Sequence, residues 1–336
     1  MVFVLGAALP VSWHAQAASD WQRLDEPVFT GQYIASDPAI LVDGALYRMF
    51  YTCWIVPDSG FVAEEVRAAI CQATSPDGLA WTNVDVVGPT EGLMLRGIES
   101  SWEEHLEASY IVKIDDTWLL YYSGYQTVGD PAMGYPAALS IAASTDGVHF
   151  ERVSDRPNLS PTPGWYDNDA IYSPTIVWDG SELVMIYAGH CYTMCDLAYG
   201  NTLLTARSSD GLTWIKDKEP AVGPDDFAVD WLANGAAEPG LIRGPDSRWY
   251  LFITGLNGEE RAIGVAVGNT ASGPWTISAE PVLEADGTGF DGGQVLAPMV
   301  LIEGDRVRMW YLGFPSGTEG YAIGYAEADW TTLADL

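Results

Sequence analysis

The chain has 336 residues, and 46 acidic side chains against 15 basic ones give it a formal net charge of -31 at pH 7. Such a surface repels nucleic acid and anionic lipid, so neither is expected as a partner. Hydrophobic residues make up 48% of the chain, which is ample for a buried core, and the acidic shell is interpreted as a surface suited to salty surroundings.

The first 17 residues, MVFVLGAALPVSWHAQA, contain a short apolar stretch and end in Ala-Gln-Ala, a pattern typical of a signal-peptidase site. Residues 1–17 are therefore predicted to be a signal peptide, although no basic residue precedes the apolar stretch. The stretch is too short and too interrupted to span a bilayer. The prediction is a secreted or periplasmic protein in which residues 18–336 form a single domain.

The segment WQRLDEPVFTG, which starts at Trp21, matches the later segment WTISAEPVLE from Trp275 in its opening tryptophan and its Glu-Pro-Val. The later segment is the predicted fourth strand of a repeated unit. We expect the Trp21 segment to be a displaced fourth strand that joins the last unit and closes a ring, because closure removes an exposed sheet edge. The shorter segment WTTLADL from Trp330 is the alternative for this position.

A phrase made of an apolar strand, a tight turn and an aromatic strand recurs five times. The copies are DPAILVDGALYRMFYTCW from Asp37, ASYIVKIDDTWLLYYSGY from Ala108, SPTIVWDGSELVMIYAGH from Ser173, EPGLIRGPDSRWYLFITG from Glu238 and APMVLIEGDRVRMWYLGF from Ala297. A third strand and a fourth strand that opens on an aromatic residue complete the unit. A period of about 60 to 70 residues with several short strands predicts an all-β five-bladed β-propeller, with four antiparallel strands per blade.

The four cysteines of an exported protein invite disulfides. Cys191 and Cys195 could close one loop, and Cys53 and Cys71 lie on the two strands of one predicted hairpin. The sequence leaves the connectivity open, with free thiols as an alternative. No spacing typical of a zinc site is present.

The first strand of each blade is expected to line a central channel, and its start shares one face with the loop between the second and third strands. The longest of these loops are residues 54–66, 125–137 and 190–202. They predict a cleft over the first three blades.

Asp37 and Glu238 occupy the same place in the first and fourth copies, each directly before a proline. Two carboxylates held on rigid strands and facing one channel are what glycoside hydrolysis requires, one as a base or nucleophile and one as an acid. The acid needs a raised pKa to hold its proton near neutral pH. The alternative is that both carboxylates only cap the channel by bonding to backbone amides.

The phrases SDPAILVDG and AAEPGLIRG resemble those of the five-bladed furanosidase superfamily, which contains the arabinanases and β-xylosidases of glycoside hydrolase family 43 and the related invertases. The resemblance implies that Asp37 is the general base and Glu238 the general acid. It also implies an acid on the third blade that tunes the pKa of the general acid. Ser173 stands at that position, which is a departure from the family pattern.

Several nearby residues are further candidates for the site. Asp169 is a candidate to replace the missing acid, whereas Asp167 has a counterpart in Asp291 and is interpreted as a repeated structural residue. Glu107 lies one position before the Asp37 site in the second blade, where only a bulge would turn it toward the channel. The remaining candidates on this face are His105, His190 and the possible sugar-stacking residues Trp102, Trp54, Tyr125 and Trp231.

The sequence therefore predicts a monomeric, inverting glycoside hydrolase that acts on plant or algal oligosaccharides or polysaccharides. No cofactor is required, and the channel leaves room for a structural Ca²⁺. Because Ser173 replaces an acid, a non-catalytic propeller that binds carbohydrate or a protein partner through the same face is the alternative.

Overall fold

A computed structural model describes residues 13–15, 21–57, 65–84, 91–127, 136–193, 195, 201–316 and 320–334. The regular secondary structure of this part of the chain is almost all β-strand, and the strand pairs are antiparallel apart from one parallel bridge between Asn201 and Gly235, so the chain is all-β as the sequence predicts. Its one α-helix is the short α1 (Trp330–Ala334). No helix within these ranges is long and apolar enough to cross a membrane.

The strands form five antiparallel units. Unit one contains β3 (Ser36–Asp43), β4 (Leu46–Ile55), β5 (Arg67–Ser75) and β6 (Thr82–Asn83), with β7 (Leu93–Arg96) also paired to β5. Unit two contains β8 (His105–Ile114), β9 (Thr117–Tyr125), β10 (Ala137–Ser144) and β11 (Glu151–Arg152). Unit three contains β12 (Ala170–Trp178), β13 (Leu183–His190), β14 (Asn201–Ser208) and β15 (Ile215–Lys216).

Unit four contains β16 (Gly235–Arg243), β17 (Trp249–Asn257), β18 (Glu260–Gly268) and β19 (Trp275–Ile277). Unit five contains β20 (Gln294–Glu303), β21 (Arg306–Phe314), β22 (Ala322–Asp329) and β2 (Gln22–Leu24), with β1 (Trp13–Ala15) beside β2. Three short 3-10 helices lie before the first strands of units four and five, at Pro224–Asp226, Asp230–Leu232 and Gly289–Asp291.

The N-terminal segment joins the last unit. Strand β2 pairs antiparallel with β22, and the adjacent Trp21 is fully buried and packs edge-on against Phe252 of unit four. The competing segment from Trp330 forms α1 instead. Of the predicted signal peptide, only the backbone of β1 is described, and the remainder lies outside the described residues.

The core lies between neighbouring units. Five main clusters of buried side chains each combine residues of two adjacent units, including the pair formed by units five and one. The first strands of the five units also contact one another in chain order. Strand β3 lies beside β8, β8 beside β12, β12 beside β16, β16 beside β20 and β20 beside β3. Strands that pack on both faces need apolar side chains on both, which explains the continuous apolar runs of the repeat.

Each first strand carries the same β-bulge. The register shifts at one equivalent point in all five units, and the residue there has a positive φ: Asp37 (51°), Ala108 (49°), Ser173 (50°), Glu238 (46°) and Ala297 (52°). In four units a proline follows, which fits a position where the ladder makes no N–H hydrogen bond. The bulge re-aims the strand, so the positive-φ residues of all five units line one narrow cavity of about 40 Å³.

A buried acid precedes the first strand of units two, three and five. Each acid is paired with a tyrosine and with a basic residue of an outer strand, in the sets Glu103–Tyr122–Arg152, Asp167–Tyr187–Lys216 and Asp291–Tyr311–Arg23. Asp167 thus has the repeated structural contacts expected for it. In units two and three the basic residue lies on the fourth strand of the unit. In unit five it is Arg23 of β2, so the N-terminal strand has the role of a fourth strand in this contact as well as in the sheet.

Two disulfides are present. Cys53–Cys71 connects β4 to β5, and Cys191–Cys195 closes the loop after β13. The long loops that predict a cleft over units one to three fall largely on residues 58–64, 128–135, 194 and 196–200, which lie outside the described residues.

Candidate active site

A cavity of about 450 Å³ lies where the bulged first strands of the five units meet. Three carboxyl groups line it, those of Asp37, Glu107 and Glu238. Asp37 and Glu238 also line the narrow cavity of about 40 Å³. The other residues of the larger cavity are Ala108, Tyr125, Tyr172, Ser173, Ala188, His190, Tyr192, Asn201, Ala237, Thr254, Leu256, Arg261 and Leu296.

Asp37 is held by hydrogen-bond donors from its own unit and the next. Thr52 Oγ1 donates to Asp37 Oδ2 at 2.8 Å, and Ser36 Oγ donates to the same oxygen at 3.0 Å. Burial raises the pKa of Asp37, but the two hydroxyls and the backbone N–H of Ala108 oppose that rise because they favour the ionised carboxylate.

Glu238 has an equivalent set of hydrogen-bond donors, so each of the two carboxyl groups lies in a cage of donors. Thr254 Oγ1 donates to Glu238 Oε2 at 2.8 Å, and the backbone N–H of Ala297, in the next unit, donates to it at 2.9 Å. Burial and then the nearby charge of Asp37 raise the pKa of Glu238 to about 7. A carboxyl group in this range can hold a proton near neutral pH and release it during a reaction.

The two cages share a feature that the sequence reading missed. Thr52 and Thr254 lie at the same position of the second strand, each opposite the residue that precedes the bulge. The corresponding residues of units two, three and five are Ser123, Ala188 and Leu312. The sequence does contain a signal for these two residues. The two repeat copies that have an acid before proline also have a threonine in the second strand, in MFYTCW and LFITGL.

Glu107 also faces the cavity. From its position in the repeat, Glu107 would reach the channel only if the strand contained a bulge. The register shift between Glu107 and Tyr110 is that bulge. The hydroxyl of Tyr125 donates to Glu107 Oε1, and burial followed by the charge of Asp37 raises the pKa of Glu107 to about 7. The residue before a bulge therefore reaches the same cavity as the residue within it.

Aromatic rings of units two and three form one wall of the cavity. Successive ring centroids lie 6.3 Å apart for Tyr125 and Tyr172, 4.9 Å for Tyr172 and His190, and 5.4 Å for His190 and Tyr192. Burial lowers the pKa of His190 to about 4, so this ring is neutral near pH 7. The wall offers apolar ring faces and hydroxyl groups together, a combination suited to sugars.

Asp169 does not line the cavity. It accepts hydrogen bonds from the backbone N–H groups of Tyr192 and Thr193, at 2.6 and 3.0 Å, and from the hydroxyl of Thr193 at 2.6 Å. Burial acts to raise the pKa of Asp169, but these donors outweigh it and the pKa is lowered. Asp169 thus holds the loop that carries Tyr192, outside the lining of the cavity.

His105 and Trp102 also lie away from the cavity. His105 stacks behind Tyr125 at 5.0 Å and accepts the backbone N–H of Ala68 on Nδ1 at 3.3 Å. Trp102 packs against Gly124, where a Cβ would come within 2.9 Å of its ring. His105 therefore supports Tyr125 from outside the cavity.

Of the other predicted stacking residues, only Tyr125 lines this cavity. Trp54 packs edge-on against Tyr321, and Trp231 lies over Gly255 and Gly264. Across the described ranges, no group of three or more His, Cys, Asp and Glu side chains is arranged to hold a metal ion.

No protein-family model matches the chain. Two curated proteins of Mycobacterium tuberculosis, the uncharacterized proteins MT1551 and Rv1502, are each 24% identical to it over 197 residues, which cover 58% of this chain. The match spans 59% of the length of either relative.

Solved structures of glycoside hydrolases are similar over most of the chain. One described as a glycoside hydrolase has a TM-score of 0.70 at 17% identity, covering 90% of this chain and 91% of that one. A thermostable family-43 glycoside hydrolase has a TM-score of 0.65 at 16% identity, covering 88% and 91%. An endo-arabinase from Bacteroides thetaiotaomicron has a TM-score of 0.62 at 18% identity, covering 89% and 95%. The chain has the β-propeller-like fold of these enzymes.

Proposed function

We propose that this protein is a glycoside hydrolase of the family 43 type, with Asp37 as the general base and Glu238 as the general acid. The observation that carries the proposal is the pair of matched cages, which hold two carboxyl groups at equivalent bulges of units one and four and in one cavity. The bulge itself does not require an acid, because units three and five have the same bulge with Ser173 and Ala297. Capping of a strand therefore does not explain why units one and four carry acids there.

The different surroundings of the two acids support the division of roles. Asp37 receives two hydroxyl donors and one backbone donor, so it is the group expected to be ionised and to accept a proton. Glu238, with its pKa near 7, is the group expected to donate one. Environments that push two carboxyl groups apart in pKa are typical of acid and base pairs.

In the inverting reaction, Asp37 takes a proton from a water molecule as the water oxygen bonds to the anomeric carbon. Glu238 gives its proton to the glycosidic oxygen as the bond from that oxygen to the anomeric carbon breaks. The products are a sugar of inverted configuration and a free hydroxyl on the leaving group. Proton exchange with solvent restores both carboxyl groups.

The proposed architecture is a five-bladed propeller. Five antiparallel units, five core clusters that each join neighbouring units, and first strands that follow one another in a closed order support it. Pairing of β2 with β22 supplies unit five with its outer strand. In this arrangement the larger cavity is the mouth of the central channel.

The proposed substrates are oligosaccharides or polysaccharides of plants or algae, encountered outside the cell. The aromatic wall and the mixed polar lining fit a sugar ring. Ser173 in place of an acid favours one second candidate, a propeller that binds carbohydrate without cleaving it.

Sugar release from a panel of plant and algal polysaccharides, at low and high salt, tests the proposal. The native protein should release sugar, whereas Asp37→Asn and Glu238→Gln should bind the same polysaccharide with little or no release. The exposed Glu151 provides the matched control Glu151→Gln, which should behave as native. Binding without release by the native protein would favour the non-catalytic candidate.

A further inference from the structure

Glu107 is a third carboxyl group in the cavity, and the proposed acid and base mechanism gives it no role. It lies on β8 and faces the same 450 Å³ cavity as Asp37 and Glu238. Its Oε1 accepts a hydrogen bond from the hydroxyl of Tyr125, which also lines the cavity. A half-buried acid held in this way in a polar cavity is expected to have a function.

The path from Glu107 to Asp37 is short. The next residue in the chain, Ala108, donates its backbone N–H to Thr52 Oγ1 at 3.1 Å. The hydroxyl of Thr52 in turn donates to Asp37 at 2.8 Å. Two half-buried carboxyl groups that face one cavity at such proximity do not ionise independently, because the first charge disfavours the second.

The hydrogen-bond donors decide which of the two keeps the proton. Asp37 is favoured in its ionised form by Thr52, Ser36 and the N–H of Ala108. Within the described residues, the Glu107 carboxyl group accepts its hydrogen bond from Tyr125. Asp37 therefore ionises first and Glu107 stays protonated, in agreement with a pKa of Glu107 raised to about 7.

We propose that Glu107 binds the substrate as a neutral carboxylic acid, donating a hydrogen bond to a sugar hydroxyl beside the ionised Asp37. The Asp37 and Glu107 pair then carries one negative charge in place of two. Tyr125, supported from behind by the stacked ring of His105, fixes the position of the Glu107 carboxyl group. This inference rests on the proposed glycoside hydrolysis and adds a substrate contact from unit two to the groups of units one and four.

The pH profile of kcat/KM tests the proposed role of Glu107, because its carboxyl group can no longer donate a hydrogen bond once it ionises. In the native enzyme the alkaline limb should report two protons, one from Glu238 and one from Glu107. Glu107→Gln keeps a neutral donor of the same shape, so it should retain kcat/KM within about fivefold on the acid side and show a one-proton limb. Glu107→Ala should lose about tenfold or more, because the donor is absent.

Tyr125→Phe provides a second variant that leaves the carboxyl group in place. Loss of the Tyr125 hydroxyl removes a donor that favours the ionised form, so one of the two alkaline steps should move to higher pH. A purely structural effect would lower activity equally at every pH. Thermal unfolding of each variant shows whether it is folded, and Glu151→Gln is the control for removal of an acid elsewhere.

Two results would overturn the inference while the proposed function stands. One is a native pH profile in Glu107→Gln together with native activity in Glu107→Ala. The other is a Glu107→Gln variant as impaired as Glu107→Ala, which would show that the charged form is required. A native protein that cleaves no glycoside would overturn both proposals, and the assay of the native protein distinguishes that case.

Discussion

Thr52 Oγ1 donates to Asp37 Oδ2 at 2.8 Å, the same length as the bond from Thr254 to Glu238 in unit four. Each threonine also accepts the backbone N–H of the bulge residue in the following unit, at 3.1 Å from Ala108 and 2.9 Å from Ala297. The repeat has thus placed two acids in one kind of cage. The acids differ in the donors that surround them, and the predicted chemistry depends on that difference.

Thr52→Val should shift the acid limb of the pH profile to higher pH. The hydroxyl favours ionised Asp37, so its loss raises the pKa of the base, by about one unit for a hydrogen bond to a charged group. Activity should fall most below the optimum, measured as kcat/KM across pH. The control is Ser123→Ala at the equivalent position of unit two, where the hydroxyl makes no hydrogen bond within the described residues. An unshifted acid limb would contradict the role of Asp37 as base.

Thr254→Val should move the opposite limb. Its hydroxyl favours ionised Glu238, so its loss raises the pKa of the acid by about one unit and moves one of the two alkaline steps to higher pH. Measured beside Thr52→Val, the variant gives a paired comparison of the two cages. If both variants shifted the same limb, the roles assigned to Asp37 and Glu238 would be wrong.

Glu238→Gln should stabilise the protein above neutral pH. The pKa of Glu238 is raised from an ordinary value of 4.5 to about 7, so the folded state binds the proton more tightly than the unfolded state. Stability from this group is present at low pH and is lost as pH rises through about 4.5 to 7. At about pH 8 the variant should gain about 1 to 3 kcal/mol in the free energy of unfolding. Urea titrations at both ends of this range measure it, and an equal difference at both would contradict the raised pKa.

Added salt should stabilise the folded protein near neutral pH. With a net charge of -31, repulsion between surface carboxylates opposes the compact state, and salt screens it. The urea midpoint should rise as NaCl increases from about 0.1 to 1 M, and it should rise less near pH 4, where many carboxylates are protonated. A midpoint that is insensitive to salt at neutral pH would contradict this interpretation of the acidic composition.

The two disulfides should differ in what their removal does. Cys53–Cys71 spans 18 residues and joins two core strands, so the double alanine variant should lose about 3 kcal/mol of stability. Cys191–Cys195 spans 4 residues and encloses Tyr192, so its loss should cost about 2 kcal/mol and should raise KM. Denaturant titration and kinetics of both variants measure the contrast. A larger effect of the first pair on KM would show that the loop does not shape the cavity.

Much of the fold can be predicted from the sequence because the repeat is strong. The five copies predict strand pairs, the Trp21 segment predicts the outer strand of unit five, and an acid before proline singles out Asp37 and Glu238. Each of these signals is local or depends on comparing equivalent positions along one chain. Asp167 was separable from site residues in the same way, because Asp291 repeats its position.

The rest of the site depends on contacts that no single repeat copy displays. Glu107 faces the cavity because the bulge overrides strict alternation, and a bulge is set by backbone geometry. Trp102 is a candidate sugar-stacking residue in the sequence, but it packs on Gly124, whose missing side chain makes the space. Asp169 is a candidate for the site in the sequence, but its oxygens accept hydrogen bonds from Tyr192 and Thr193 and it does not line the cavity.

The role of Glu238 as general acid is tested most directly by the dependence of cleavage on the leaving group. Aryl glycosides with a poor leaving group need a proton from the acid, whereas those with a strongly activated leaving group do not. Glu238→Gln should therefore lose about a thousandfold in kcat/KM on the first kind and about tenfold or less on the second. An equal loss on both kinds, or native activity on both, would contradict the account.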